Sequence, residues 1–128
     1  MDQTIAQLAE RDGQAFKSMH RYLSAGSLAL ARVVEFMVAK VKSDPNAVFA
    51  GSVPYLKLAG IVLGGWQMAR ALLVASDKRS EDEAFYGAKI ATAQFFAEHI
   101  LSQAPGIEVS IVSGNGQEGY LALSEDQF

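Results

Sequence analysis

At 128 residues and 13.7 kDa the chain has the size of one domain, long enough to bury a hydrophobic core. It is 50% hydrophobic and 20% charged, a globular rather than a disordered balance, and its net charge of −3 gives no electrostatic reason to bind nucleic acid or an anionic membrane surface. The absence of cysteine excludes disulfide scaffolds, thiolate zinc sites and cysteine nucleophiles.

Met1 is followed at once by Asp2 and Gln3 rather than by a basic stretch and an apolar run, so the start does not read as a signal peptide. The longest uncharged apolar stretch, Leu58 to Ala69, is 12 residues, and a spanning helix needs roughly 20. A soluble, cytoplasmic protein without a membrane span is expected. Ile5 and Leu8 suggest a leading helical turn or two, with Asp12-Gly13 as the weak point after it. From Phe16 the apolar positions Met19, Leu23, Gly26, Leu30, Val33 or Val34, Met37 and Val41 recur in steps of three and four, which predicts one long helix over 14–43. Ser43-Asp44-Pro45 should end it, because proline lacks the amide proton and disfavours a helical residue before it.

A second helix is predicted over 53–76, with Ser52 as its cap and Pro54 in its first turn, where the missing donor does no harm. Tyr55, Leu58, Val62, Trp66, Ala69 and Leu73 fall on one bulky face, and Gly60, Gly64 and Ala71 on a small one that lets another helix approach closely. A third helix is predicted over 81–103, opened by Ser80 with Glu83 at capping-box spacing and closed before Pro105-Gly106. For 106–123 the alternation of Ile107, Val109 and Ile111 and the Asn115-Gly116 turn signal also allow a hairpin. A short helix is favoured, because a lone hairpin is marginal without a sheet to join. The expected fold is a single all-α domain over 1–128, an up-and-down helical bundle of three long helices plus a shorter C-terminal element. Leu23, Leu30, Met37, Leu58, Val62, Trp66, Ile90, Phe96 and Ile100 are its expected core.

No catalytic constellation emerges. Gly114-Asn115-Gly116-Gln117-Glu118-Gly119 fits G-x-G-x-x-G, but only nine residues follow, too few for the helix, return strand and acidic residue of a dinucleotide site. A di-iron bundle needs Glu-x-x-His, whereas Lys17 and Phe96 stand three residues before His20 and His99. Glu98 and His99 are adjacent and point about 100 degrees apart on a helix, so a metal site is not expected. No serine has the elbow motif of a hydrolase, and the carboxylates are scattered over helix starts and turns. The charged residues set among apolar ones, Lys57, Arg70, Lys89 and Glu98, are read as pairing across antiparallel helices or reaching water, with a ligand-binding cluster, Arg70 and Lys89 taking an anionic small molecule, as the functional alternative. Tyr55, Trp66, Tyr86, Phe95 and Phe96 are read as core rather than as a ligand pocket. The candidates for structural or interface roles are thus Tyr55, Gly60, Gly64, Trp66 and Arg70 on the second helix, and Tyr86, Lys89, Glu98 and His99 on the third; none is expected to be catalytic, cofactor-binding or metal-ligating.

The segment Pro54-Tyr55-Leu56-Lys57-Leu58, leading into Gly64-Gly65-Trp66-Gln67-Met68-Ala69-Arg70-Ala71, is similar to the C-terminal helical domain of bacterial acyl-CoA dehydrogenases of the methylthiopropionyl-CoA dehydrogenase-like branch. So is the run from Phe85-Tyr86-Gly87-Ala88-Lys89-Ile90 through Gln94-Phe95-Phe96-Ala97-Glu98-His99-Ile100-Leu101, and the ending Leu123-Ser124-Glu125-Asp126-Gln127-Phe128. The resemblance is dense over 44–103, loose before it, and resumes at the last six residues. Ser102, where the family often has proline, and the glycine-rich 113–119 depart from it. The resemblance implies a flavoenzyme that takes hydrogen from the α and β carbons of an acyl thioester and passes a hydride to FAD. The catalytic glutamate, the FAD contacts and most of the CoA surface would then lie in domains preceding this one, which are the implied partners. No catalytic residue carries over. The rival expectation is a free-standing homo-oligomeric helical interaction module that self-associates through the glycine face of the second helix.

Overall fold

The computed structural model describes residues 1–114 and 123–127, and it is all-helical over the described residues. Its elements are α1 (Asp2–Ala9), α2 (Gln14–Lys40), α3 (Pro45–Asp77), α4 (Glu83–His99) and α5 (Ala104–Val112), with 3-10 turns at Leu101–Gln103 and Glu125–Gln127. α2 and α3 form an antiparallel hairpin. α4, the turn after it and α5 run back along both as one bent third layer, and α1 packs against the start of α2 and the end of α3. The expected up-and-down bundle is the observed one.

Local chemistry sets the boundaries. Gly13, at φ 124, is the described residue with a positive φ, and it turns the chain between α1 and α2 where Asp12-Gly13 suggested a break. α2 ends at Lys40, three residues short of the expected 43. α3 begins at Pro45 rather than near 53: the Asp44 carboxylate accepts from the Ala47 amide at 3.3 Å, with Pro45 in the first turn. Ser52 is therefore no cap, its hydroxyl donating to the Phe49 carbonyl at 2.8 Å, and Pro54 lies inside the helix. An interior proline costs about 3 kcal/mol, offset by the extra two turns of α3, which bury Ala47 and Gly51 and bring Gly51 against Ile111 of α5. The cap of α4 is likewise Asp82, accepting from the Phe85 amide at 3.0 Å, and not Ser80.

The expected helix 81–103 is broken after His99. Side chains take up carbonyls at its end, Ser102 Oγ donating to Glu98 O and Gln103 Nε2 to His99 O, both at 2.8 Å, and Pro105 falls in the first turn of α5, where its missing amide proton does no harm. Helix and not hairpin holds for 104–112, whereas the Asn115-Gly116 turn and most of the 114–119 glycine motif lie outside the described residues.

The core sits where three layers meet. Leu23, Leu58 and Val62 are fully buried as expected, and Leu8, Met19, Val33, Leu72, Leu101 and Ile111 join them. Leu30, Met37, Trp66, Ile90 and Phe96 pack on this cluster only half-buried, and Ile100 is half-buried too, because helices of a small bundle keep one flank in water. Phe95, at 58% exposure, is outside the core. α2 and α3 are each long and apolar enough, by length and composition, to cross a membrane, which the 12-residue stretch had not suggested. The core helix of a soluble protein passes the same test, and each of these two buries a stripe within the bundle.

Close approach is concentrated around Leu101. A Cβ placed on Gly65 of α3 would meet Leu101 Cδ2 at 2.8 Å, and one placed on Gly26 of α2 would meet Leu101 Cδ1 and Val62 Cγ2 at 3.2 Å. Leu101 is held from both sides and cannot swing away. Gly65→Ala is therefore expected to cost about 1–3 kcal/mol by overpacking, whereas Gly87→Ala, with nothing within 4 Å of the added carbon, should gain about 0.5–1 kcal/mol from helix propensity. Urea unfolding of the two variants reads both signs.

Candidate functional site

Two groups of polar side chains interrupt the apolar helices. On the outer side of α3 and α4, the Arg70 guanidinium donates to Gln67 Oε1 at 3.2 Å and lies 5.9 Å from the centroid of the Trp66 ring. Lys89 Nζ stands 5.2 Å from the centroid of Phe85, whose ring meets Tyr86 edge-on at 5.1 Å. Arg70, Lys89 and Tyr86 border an open hollow of about 430 Å3 floored by Ala71, Val74 and Ala75. Both cations are exposed and interact within their own helices, so they do not pair across α3 and α4. Lys57 is exposed as well.

Glu98 alone of the four charged residues ties helices together, and it reaches α2 rather than α3. The buried Ser18 hydroxyl donates to Glu98 Oε1 at 2.7 Å and accepts from Gln14 Nε2 at 3.0 Å, while Gln94 Nε2 donates to the same Glu98 oxygen at 3.0 Å. These hydrogen bonds, that of Ser18 first and then Gln94, with the neighbouring His99 adding a smaller attraction, hold the Glu98 carboxyl below its ordinary value of 4.5 against the opposing effect of partial burial. His99 itself is exposed and stacks tilted on Phe95 at 4.6 Å between centroids.

The remaining candidates are structural. The Trp66 indole N–H donates to the Thr4 hydroxyl at 2.9 Å, tying α1 to α3, and Tyr55 is half-buried against the core. Gly64 lies 3.4 Å from the Phe96 ring by its missing Cβ, whereas Gly60 faces open space. The small face read from the sequence is thus split, and the tight contact falls at Gly65, one position on. Ser18, Gln94, Thr4 and the 2.7 Å Arg11–Asp77 ion pair were not singled out by sequence reasoning. A serine every few residues of α2 carries no signal for which one will face a carboxylate 80 positions away.

Among the described residues no group of three or more His, Asp or Glu side chains gathers to hold a metal ion. Among the described residues, the starts of α3 and α4 do not offer a site for a flavin dinucleotide's pyrophosphate. A pyrophosphate seeks free amides at a helix N-terminus, and at the starts of α3 and α4 the carboxylates of Asp44 and Asp82 already occupy them, with Glu81 and Glu83 adding negative charge. What the arrangement does chemically is hold α2 against α4 through one hydrogen-bonded anion. The sign of its pH dependence follows: a depressed carboxyl contributes stability above its unfolded value of 4.5 that is lost as pH falls through the lower folded value. Glu98→Gln, which keeps an acceptor and removes the charge, should be less stable than the parent at neutral pH, with the gap closing in acid below 4.5 in chemical-denaturation curves; a gap independent of pH would contradict the assignment.

Residues 1–117 match the family described as acetyl-CoA dehydrogenase C-terminal like, which extends the dense 44–103 resemblance to include α1 and α2. The chain is 36% identical over 93 residues to 3-methylmercaptopropionyl-CoA dehydrogenase of Ruegeria pomeroyi, an alignment covering 71% of this chain and 16% of that protein. No solved structure matches. With a family match over nearly the whole chain and a relative about six times longer than the aligned segment, the chain belongs to the acyl-CoA dehydrogenase C-terminal domain family.

Proposed function

We propose that this chain is the non-catalytic accessory domain of an FAD-dependent acyl-CoA dehydrogenase, a cytoplasmic flavoprotein that oxidises an acyl-CoA to the 2,3-enoyl-CoA. The observation carrying this reading is the family match over residues 1–117 in a chain that aligns with only 16% of its relative. Its internal chemistry supports it: the hydrogen-bonded polar groups tie α1 to α3 and α2 to α4, and the exposed cations rest on aromatic rings. FAD and the acyl thioester are assigned to the preceding domains, and this bundle supports their assembly.

Two arms test the proposal. The isolated chain, mixed with FAD and with an acyl-CoA plus an artificial electron acceptor, should retain no flavin on gel filtration and reduce no acceptor; stoichiometric flavin binding would overturn the non-catalytic half. A full-length dehydrogenase carrying this domain should, when cut immediately before it, lose thermal stability or subunit assembly while its catalytic residues stay intact. A truncated enzyme equal to the parent in stability, assembly and kcat/KM would overturn the accessory half.

A further inference from the structure

The hollow between the outer faces of α3 and α4 has two cations on its rim and no anion to meet them. Among the described residues the ion pairs are Arg11–Asp77, Arg32–Glu108 and Arg79–Glu83, so neither Arg70 nor Lys89 is neutralised. Glu10 and Asp77 border a separate hollow that Arg70 shares on the α1 side, and Asp77 is taken there by Arg11. In a chain with 14 acidic residues to 11 basic ones, two unpaired cations on one hollow run against the overall sign. Their donors are largely free. The bond from Arg70 to Gln67 uses one of the five guanidinium N–H groups, and Lys89 Nζ rests on the Phe85 ring with no acceptor. Beneath the two cations and the Tyr86 phenol lie Ala71, Val74 and Ala75, an apolar floor in a space of about 430 Å3. That volume is in the range of small-molecule sites, about 300–1,000 Å3.

We propose that this hollow binds a small amphipathic carboxylate, its head group between Arg70 and Lys89 and its apolar body on the alanine and valine floor beside Tyr86. The planar guanidinium matches a carboxylate with two parallel hydrogen bonds, and the ammonium adds a second charge from the other helix. The floor decides the class of ligand. Inorganic phosphate would meet the two cations and gain nothing from Ala71, Val74 and Ala75, whereas a neutral apolar molecule would cover the floor and leave both cations unpaired. A carboxylate carried on an apolar body uses both halves. The site holds its ligand without reacting, since no carboxylate, imidazole or serine borders the hollow among the described residues. This inference is independent of the accessory reading, because it concerns the chain alone.

The probe is phenylpropionate, added to the isotope-labelled 128-residue chain and followed by NMR. Amides around 70–75 and 86–89 should shift and saturate, with a Kd of about 1 mM or tighter for a ligand of this size. Arg70→Gln and Lys89→Gln, both at exposed positions, should keep the unfolding midpoint, each weakening binding about threefold and together about tenfold. Phenylpropanol, which lacks the charge, and inorganic phosphate, which lacks the apolar body, should each bind about tenfold more weakly or not at all. Shifts that do not saturate, or that centre elsewhere on the bundle, would overturn the proposal. So would a double variant that binds like the parent, or phenylpropanol or phosphate binding as tightly as phenylpropionate.

Discussion

Leu101 is a side chain that all three layers share. It leaves the chain at the break between α4 and α5, is fully buried, and fills the space that Gly26 and Gly65 leave by having no Cβ. The break and the wedge depend on each other. After His99 the chain tightens into a 3-10 turn, with the Gln103 amide on the Ile100 carbonyl, and the turn carries Leu101 inward where α2 and α3 are close enough to grip it. Behind it α5 lies against both helices of the hairpin, with Ile111 against Gly51 and Glu108 3.6 Å from Arg32. A bundle whose third layer bends in this way has one register, because sliding α4 by one turn would push a leucine into a position that has no glycine opposite.

The polar contacts act at the periphery of that wedge. Ser18, Glu98 and Gln94 fasten α2 to α4 on one side, Trp66 and Thr4 hold α1, and Arg11 with Asp77 closes the end of α3. Each joins elements that the core already brings together, and the exposed Arg11–Asp77 pair contributes little on its own. A site of chemistry would need the opposite economy, with polar groups gathered round a space and held away from one another's charge. The hollow beside Arg70 and Lys89 has cations on its rim and methyl groups beneath, which suits a surface more than a reaction centre.

Much of the fold is legible in the residues. The three-four periodicity of α2 fixes a long helix, Asp12-Gly13 marks its beginning, and the family-like segments of α3 and α4 lead to the family itself. The errors share a physical cause. Ser-x-Pro and Asp-Pro patterns nine residues apart both look like helix starts, and the choice between them is made by tertiary burial of Ala47 and Gly51, which no local pattern carries. The same holds for Ser80 against Asp82 as cap of α4. Among the glycines, Gly60 and Gly64 share a face by spacing, yet the close approach falls at Gly65, because it depends on where the α4–α5 turn aims Leu101. The charged residues were read as pairing across helices or reaching water, and both occur: Glu98 ties α4 to α2, while Lys57, Arg70 and Lys89 are exposed; a helical wheel places a side chain on a face without saying whether a partner stands opposite.

The account rests on Leu101 as the common contact of three layers, and urea unfolding of Leu101→Ala tests it directly. Deleting a leucine that is fully buried and gripped on both sides should lower stability by about 2–5 kcal/mol, with hydrogen exchange accelerating in α2, α3 and α5 together. A loss below about 1 kcal/mol, or accelerated exchange confined to α5, would contradict it.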